Sequence, residues 1–189
     1  MSRLAVFVSG EGTNLQALLE HPAVGPCTVL VVSDRPDAPA LERARRVSVD
    51  AVAIDRHGVG REAWDAHADA LLRAHAIDLV VLAGFRRLLG PAFVAAWRGR
   101  VVNVHPSLLP SFPGMHALRD ALEAGVPETG VTVHWVDEGM DTGPVISQRV
   151  VQVLPGDDEA SLRARVQAVE HLLLPATVAS LLVTANEPG

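Results

Sequence analysis

The chain reads as an α/β protein with a Rossmann-like, mostly parallel sheet flanked by helices and an antiparallel C-terminal extension, on three observations. Short β-branched apolar runs alternate with longer helical patterns through the first half, the rhythm of βαβ units. The run Leu79-Val80-Val81-Leu82-Ala83 is continuously apolar, as a strand buried on both faces requires. In the second half two apolar runs, 131–136 and 145–151, follow one another across a loop, which suits antiparallel pairing.

Taken in order, the pattern predicts a strand over 4–8, a glycine-containing turn over 9–13, and a helix over 14–19 with Leu15, Leu18 and Leu19 on one face. A second strand over 27–32 leads through a loop to a short helix over 41–46 and a third strand over 51–54. The segment 61–75 is helical, with Trp64, Ala68, Leu71 and Leu72 at helical spacing, and feeds the buried strand over 79–83. A helix near 91–97, a strand over 101–104, a proline-rich loop over 106–114 and a helix near 116–124 come next. A long helix over 161–182 closes the fold; Asp157, Asp158 and Glu159 at its start suit the positive end of its dipole. The last residues, 186–189, are expected to fray.

Composition narrows the function. At 189 residues the chain fits one domain, 1–189, with a sizeable core. No uninterrupted apolar run reaches the roughly 20 residues of a membrane span, and the first apolar run is too short for a signal peptide, so a cytoplasmic protein is expected. Cys27 is the sole cysteine, which excludes an internal disulfide and a thiolate metal cluster. The net charge of -6, without a basic run longer than two residues, argues against a nucleic-acid surface. All 16 basic residues are arginine, which removes a lysine Schiff base and a P-loop lysine together.

Three segments carry candidate chemistry. Ser9-Gly10-Glu11-Gly12-Thr13-Asn14 lies between a strand and a helix, where backbone N–H groups and the helix dipole suit a phosphate; a turn that merely packs the helix is the alternative. Asn103-Val104-His105-Pro106-Ser107 sends Asn103 and His105 to the same side where a strand ends. There an amide can donate to a developing oxyanion and an imidazole can exchange a proton, or the two can form a structural pair. Asp141, in Gly139-Met140-Asp141-Thr142-Gly143, sits in a loop that can present an acid inward to orient and charge His105, a turn-forming aspartate being the alternative. Metal ligation is not expected: no HExxH pattern is present, although His105, His116 and His134 could converge.

Taken together, Ser9-Gly-x-Gly-Thr-Asn14, Gly84-Phe-x-Arg-Leu-Leu89, Asn103-x-His-Pro-Ser-Leu-Leu-Pro110 and Asp141-x-Gly-Pro144 resemble the folate-dependent formyltransferases over nearly the whole chain. Within that family the Gly-Thr-Asn turn and the length point to the branch that takes phosphoribosylglycinamide (GAR). The resemblance implies transfer of a formyl group from 10-formyltetrahydrofolate to the GAR amine, with Asn103, His105 and Asp141 catalytic and no metal. It further implies that Gly12, Thr13 and Asn14 hold the ribotide phosphate, with Pro106, Ser107 and Glu170 completing the GAR site. Arg61, Arg86, Arg87, Leu88, Leu89 and Asn103, with the loop Asp137, Glu138, Gly139, Met140 and Asp141, are implied to hold the folate. Leu118 and Ser111 depart from the family pattern, which often has His and Lys there. Two small-molecule substrates, no nucleic acid or membrane, and a monomer or homodimer are expected. The competing readings are a hydrolase of the same folate and a ribotide-binding protein without catalysis. A tRNA formyltransferase would add a basic C-terminal domain, and the deformylase usually an N-terminal one.

Overall fold

The computed structural model of the chain describes residues 2–184, so the fraying expected at 186–189 lies outside the described residues. The elements are β1 (Leu4–Val8), α1 (Thr13–Glu20), β2 (Thr28–Ser33), α2 (Pro39–Arg46), β3 (Asp50–Ala53), α3 (Arg61–Ala74) and β4 (Leu79–Leu82). After them come α4 (Pro91–Ala96), β5 (Val101–His105), α5 (Ala117–Glu123), β6 (Glu128–Trp135), β7 (Val145–Gln152) and α6 (Glu159–Thr184). The expected elements all occur. The largest shift is β6, which starts three residues earlier than its apolar run because Glu128, Thr129 and Gly130 pair with β7.

The strands form one sheet in the order β3-β2-β1-β4-β5-β6-β7. Pairing is parallel from β3 to β5 and antiparallel for β5–β6 and β6–β7. Successive side chains of β1 feed opposite faces. Leu4, Val6 and Val8 meet α1, α2, α5 and α6, whereas Ala5 and Phe7 meet α3 and α4. Every residue of β1 is therefore buried, the reason its sequence is continuously apolar. Leu118, one of the departures from the family pattern, is a core residue of α5.

Among the described residues one helix, Glu159–Val183, has the length and hydropathy of a membrane span, which the reading of uninterrupted apolar runs did not register. Its Leu162, Val166, Leu173, Leu174 and Val178 are buried in the core, whereas Leu172 and Val183 are exposed. At the helix start the Asp158 carboxylate accepts the Ser161 N–H at 2.8 Å, a side-chain cap.

Candidate active site

Strand order reverses between β1 and β4, and the crevice outside the carboxyl ends at such a point is where open α/β sheets bind ligands. The ends of β1, β4 and β5 supply Ser9, Gly84 and His105 there. Asn103 and His105, two residues apart on β5, project from one face. Antiparallel pairing sets His134 of β6 opposite Asn103, and Thr132 opposite His105.

Asp141 reaches this edge from the β6–β7 loop. Its Oδ2 accepts the Gly114 N–H at 2.8 Å and stands 3.4 Å from His105 Nδ1. Its Oδ1 lies 3.4 Å from Asn103 Nδ2 and 3.6 Å from His134 Nε2. One carboxylate thus joins three side chains and the loop after β5. Asp141 has φ 55°, in the left-handed region, which costs a non-glycine residue about 1–3 kcal/mol. Its contacts with Gly114, His105 and Asn103 hold it there, and backbone strain of this kind clusters at functional sites.

The partners dictate where hydrogens sit. His105 Nε2 is 2.9 Å from the Phe112 carbonyl oxygen, which can only accept, so Nε2 carries a hydrogen. Nδ1 faces the Asp141 carboxylate, so both ring nitrogens confront acceptors, the arrangement that an imidazolium satisfies. His134 Nδ1 donates to the Trp135 carbonyl at 2.9 Å. Its Nε2, 3.2 Å from Asn103 Nδ2, accepts from that amide when the ring is neutral and donates toward Asp141 when it is charged. Burial raises the Asp141 carboxyl, but His134, the Gly114 N–H and the charge of His105 outweigh burial and hold it below the usual carboxylate value.

At the end of β1, Gly12 is the cap residue of α1 with φ 72°, and no side chain caps the helix. The first-turn N–H groups are therefore not claimed by a side-chain cap. A Cβ on Gly12 would stand 2.6 Å from Ala40 Cβ, because α2 packs directly on the turn. Arg43 of α2 donates to the Glu11 carbonyl at 2.7 Å. Asn14 turns its amide away from the turn and donates to Glu170 Oε2 at 2.9 Å, with both side chains buried. Burial pushes the Glu170 carboxyl up, against the Asn14 hydrogen bond and the Arg163 charge.

The remaining expected site residues fall in three places. The Ser107 hydroxyl is turned inward onto the Ser111 carbonyl at 2.5 Å, and Thr132 donates to the Ser107 carbonyl at 2.7 Å, so these hydroxyls brace the loop that starts at Pro106. Arg61 opens α3, and the Arg87 guanidinium lies 5.4 Å from the centre of the Trp64 ring. Arg86 and Leu88 are exposed and Leu89 half-buried. In the β6–β7 loop the Asp137 carboxylate accepts from Gly139 N and Thr142 Oγ1, Glu138 pairs with Arg98 at 2.5 Å, and Met140 is exposed. An open groove of about 660 Å³ between α1 and α6 includes Thr13, Gln16, Arg43 and His171 but none of Asn103, His105 and Asp141. The Asn103, His105 and Asp141 cluster thus stands at the sheet edge, apart from this groove.

Sequence reasoning named His134 only among three histidines that could converge on a metal, not as a neighbour of Asn103 and Asp141. Its signal was available: once β5 and β6 pair antiparallel, the alternation Thr132-Val133-His134 places a second imidazole on the Asn103 face.

Residues 2–178 match the formyl transferase family model. The phosphoribosylglycinamide formyltransferase of Mycobacterium tuberculosis is 47% identical over 184 residues, covering 95% of this chain and 85% of that one. The trifunctional purine biosynthetic protein adenosine-3 of Drosophila melanogaster is 45% identical over 186 residues, and the chain spans 14% of that protein's length. Among solved structures, glycinamide ribonucleotide transformylase 1 from Geobacillus kaustophilus superposes with a TM-score of 0.92 at 48% identity, covering 96% of this chain and 99% of that one. Phosphoribosylglycinamide formyltransferase from Bacillus halodurans gives a TM-score of 0.92 at 44% identity, with 98% and 97% covered. Motifs, fold and these similarities agree, and the chain belongs to the formyl transferase family.

Proposed function

We infer that the chain transfers the formyl group of 10-formyltetrahydrofolate to the amine of GAR, giving formyl-GAR and tetrahydrofolate in de novo purine (IMP) synthesis. The carrying observation is the Asn103–His105–Asp141 cluster at the carboxyl edge of β5 in a chain 47% identical to a phosphoribosylglycinamide formyltransferase. We read residues 1–189 as a single formyltransferase domain working in the cytoplasm, as a monomer or homodimer, on two small substrates.

In the proposed step the GAR amine nitrogen bonds to the formyl carbon and the carbonyl π electrons move to oxygen. Asn103 and the His105 imidazolium meet the oxyanion, so the step needs no metal. His105 Nε2–H exchanges the Phe112 carbonyl for that oxygen. Collapse breaks the bond from the formyl carbon to N10, and the amine proton passes to N10 with Asp141 as relay through water. The reading places the ribotide phosphate on the N–H groups of Gly12, Thr13 and Asn14, and Pro106, Ser107 and Glu170 around the rest of GAR. The folate lies along Arg61 and Arg86–Leu89 and against the loop Asp137–Asp141. Exposed Leu88 and Met140 support this, since they offer apolar surface to a flat pterin.

The deciding experiment incubates the protein with GAR and 10-formyltetrahydrofolate and runs a control without GAR. Formyl-GAR formed only with both substrates is expected. Formate and tetrahydrofolate without GAR would instead identify a hydrolase, and ribotide binding without products an inert binder.

Two variants test the GAR side. Gly12→Ala must adopt a left-handed backbone against Ala40, which costs about 1–3 kcal/mol of stability. A lower melting temperature and a raised KM for GAR are expected, with the folate KM unchanged. Glu170→Gln should raise the KM for GAR about tenfold through loss of a charged hydrogen-bond partner. Its stability moves the other way. The folded Glu170 carboxyl binds its proton more tightly than in the unfolded chain, so native stability falls as pH rises from the ordinary carboxyl value through the raised one. Glutamine removes that loss, and chemical denaturation at pH 7 should show a more stable variant.

A further inference from the structure

Between β4 and α4 the chain runs irregularly from Ala83 to Gly90, and this is the segment that the proposed function sets against the folate. Two side chains hold its backbone. At one end Ser9 Oγ accepts the Arg86 N–H at 2.9 Å. At the other Asp65 of α3 accepts the Gly90 N–H through Oδ2 at 2.7 Å. Asp65 is 6% exposed, a rare place for a carboxylate that is not paired. Burial pushes its carboxyl above the ordinary value, against the Gly90 N–H and the charges of Arg87 and Arg61. The fit is close: a Cβ on Gly90 would stand 2.6 Å from Asp65 Oδ2 and 3.8 Å from Arg61 Nε.

Two buried atoms beside this anchor have no hydrogen-bond partner in the protein, Asp65 Oδ1 and Arg87 Nε. A buried acceptor and a buried donor left open are each costly. Neither is needed to hold α3 on the sheet, which Trp64, Ala68 and Leu72 do with apolar contacts. A lone structural aspartate would gain more stability as a small apolar residue. Its contact is instead with the backbone of the segment, at Gly90, where Arg61 also lies close.

We propose that Asp65 is a positioning residue for the folate side of the site: it fixes the backbone of 86–90 through Gly90 and holds Arg61 and Arg87 together facing the co-substrate. This rests on the reading above that the segment borders folate. Without the carboxylate, Arg61 and Arg87 lose an opposite charge and the Gly90 N–H is left buried without an acceptor. Both losses fall on folate binding, since the GAR residues sit at the start of α1, in the loop after β5 and on α6.

Asp65→Asn keeps an oxygen that can accept from Gly90 and removes the charge; Asp65→Ala removes both. For each, kcat and the KM of both substrates are measured with the other saturating, folate binding is titrated by tryptophan fluorescence, and folding is checked by thermal melting. The alanine variant should raise the KM and Kd for 10-formyltetrahydrofolate about tenfold and the asparagine variant several-fold. The KM for GAR should stay within about twofold. Unchanged folate binding in either folded variant overturns the proposal, as does a parallel rise in both KM values, which general loosening of the fold would produce. If the alanine variant does not fold, the asparagine variant decides alone. Failure of the functional reading shows separately, as wild-type protein that makes no formyl-GAR.

Discussion

Replacing His105 by alanine is expected to lower kcat for formyl transfer by about 10²–10³-fold while leaving both KM values nearly unchanged, the signature of an interaction made only in the transition state. The physical cause lies in the ring's surroundings. His105 is 4% exposed, and its two nitrogens face the Phe112 carbonyl and the Asp141 carboxylate. A charge confined in that way is stronger toward a nascent oxyanion than one in water. Asn103→Ala should lose a similar factor, since it removes the other proposed donor and leaves His134 Nε2 without its amide partner. The two losses should be less than additive in the double variant, because the groups act on one oxygen. Circular dichroism and melting curves check that the variants fold. Near-normal turnover in either folded single variant would remove that residue from the mechanism.

The second large effect is expected for Asp141→Asn. The amide keeps the shape and can still accept from Gly114, but it no longer stabilises the His105 imidazolium or takes part in proton transfer. A fall in kcat of about 10²-fold follows if the charge of His105 is what the transition state uses. A pH series separates this from misfolding. The Asp141 carboxyl is depressed in the folded protein, so the unfolded state binds its proton more readily. Its contribution to stability is complete above the ordinary carboxyl value and is lost as pH falls through that value to the depressed one. In the asparagine variant that part of the acid sensitivity should vanish, visible as a flatter dependence of unfolding free energy on pH below about 4. An unchanged acid profile would mean that Asp141 is not held ionised by its neighbours.

How far the site was legible differs by residue. Asn103 and His105 could be read because strand alternation is local: two positions apart on β5 means the same face, whatever the rest of the fold does. Asp141 could be named as an acid in a glycine-rich loop, but its distance from β5, 38 residues along the chain from Asn103, is closed only by the β6–β7 hairpin. His134 depends on the β5–β6 register, and a slip of one residue would have turned it to the other face. Ser107 was named for GAR only through the family motif, and the turn after β5 folds its hydroxyl back onto the Ser111 carbonyl. The Asn14 turn suggests a phosphate held by backbone N–H groups, but only the fold shows that its side-chain amide goes to Glu170 on α6, 156 residues away.

By itself the sequence determined the alternation of strands and helices, the burial of β1 and β4, and the glycine at position 12, since each follows from periodicity or backbone sterics within a few residues. Its motifs also carried the family. Tertiary structure alone decided which polar groups meet: Asp141 with His105, Asn103 and His134; Asn14 with Glu170; Asp65 with Gly90. Such pairings join segments far apart in the chain, and their geometry comes from sheet register and helix packing. Burial then sets their charge, raising Glu170 and Asp65 while the neighbours of Asp141 hold it low. Those opposite shifts come from packing and from neighbouring charges, which a residue's own letter does not specify.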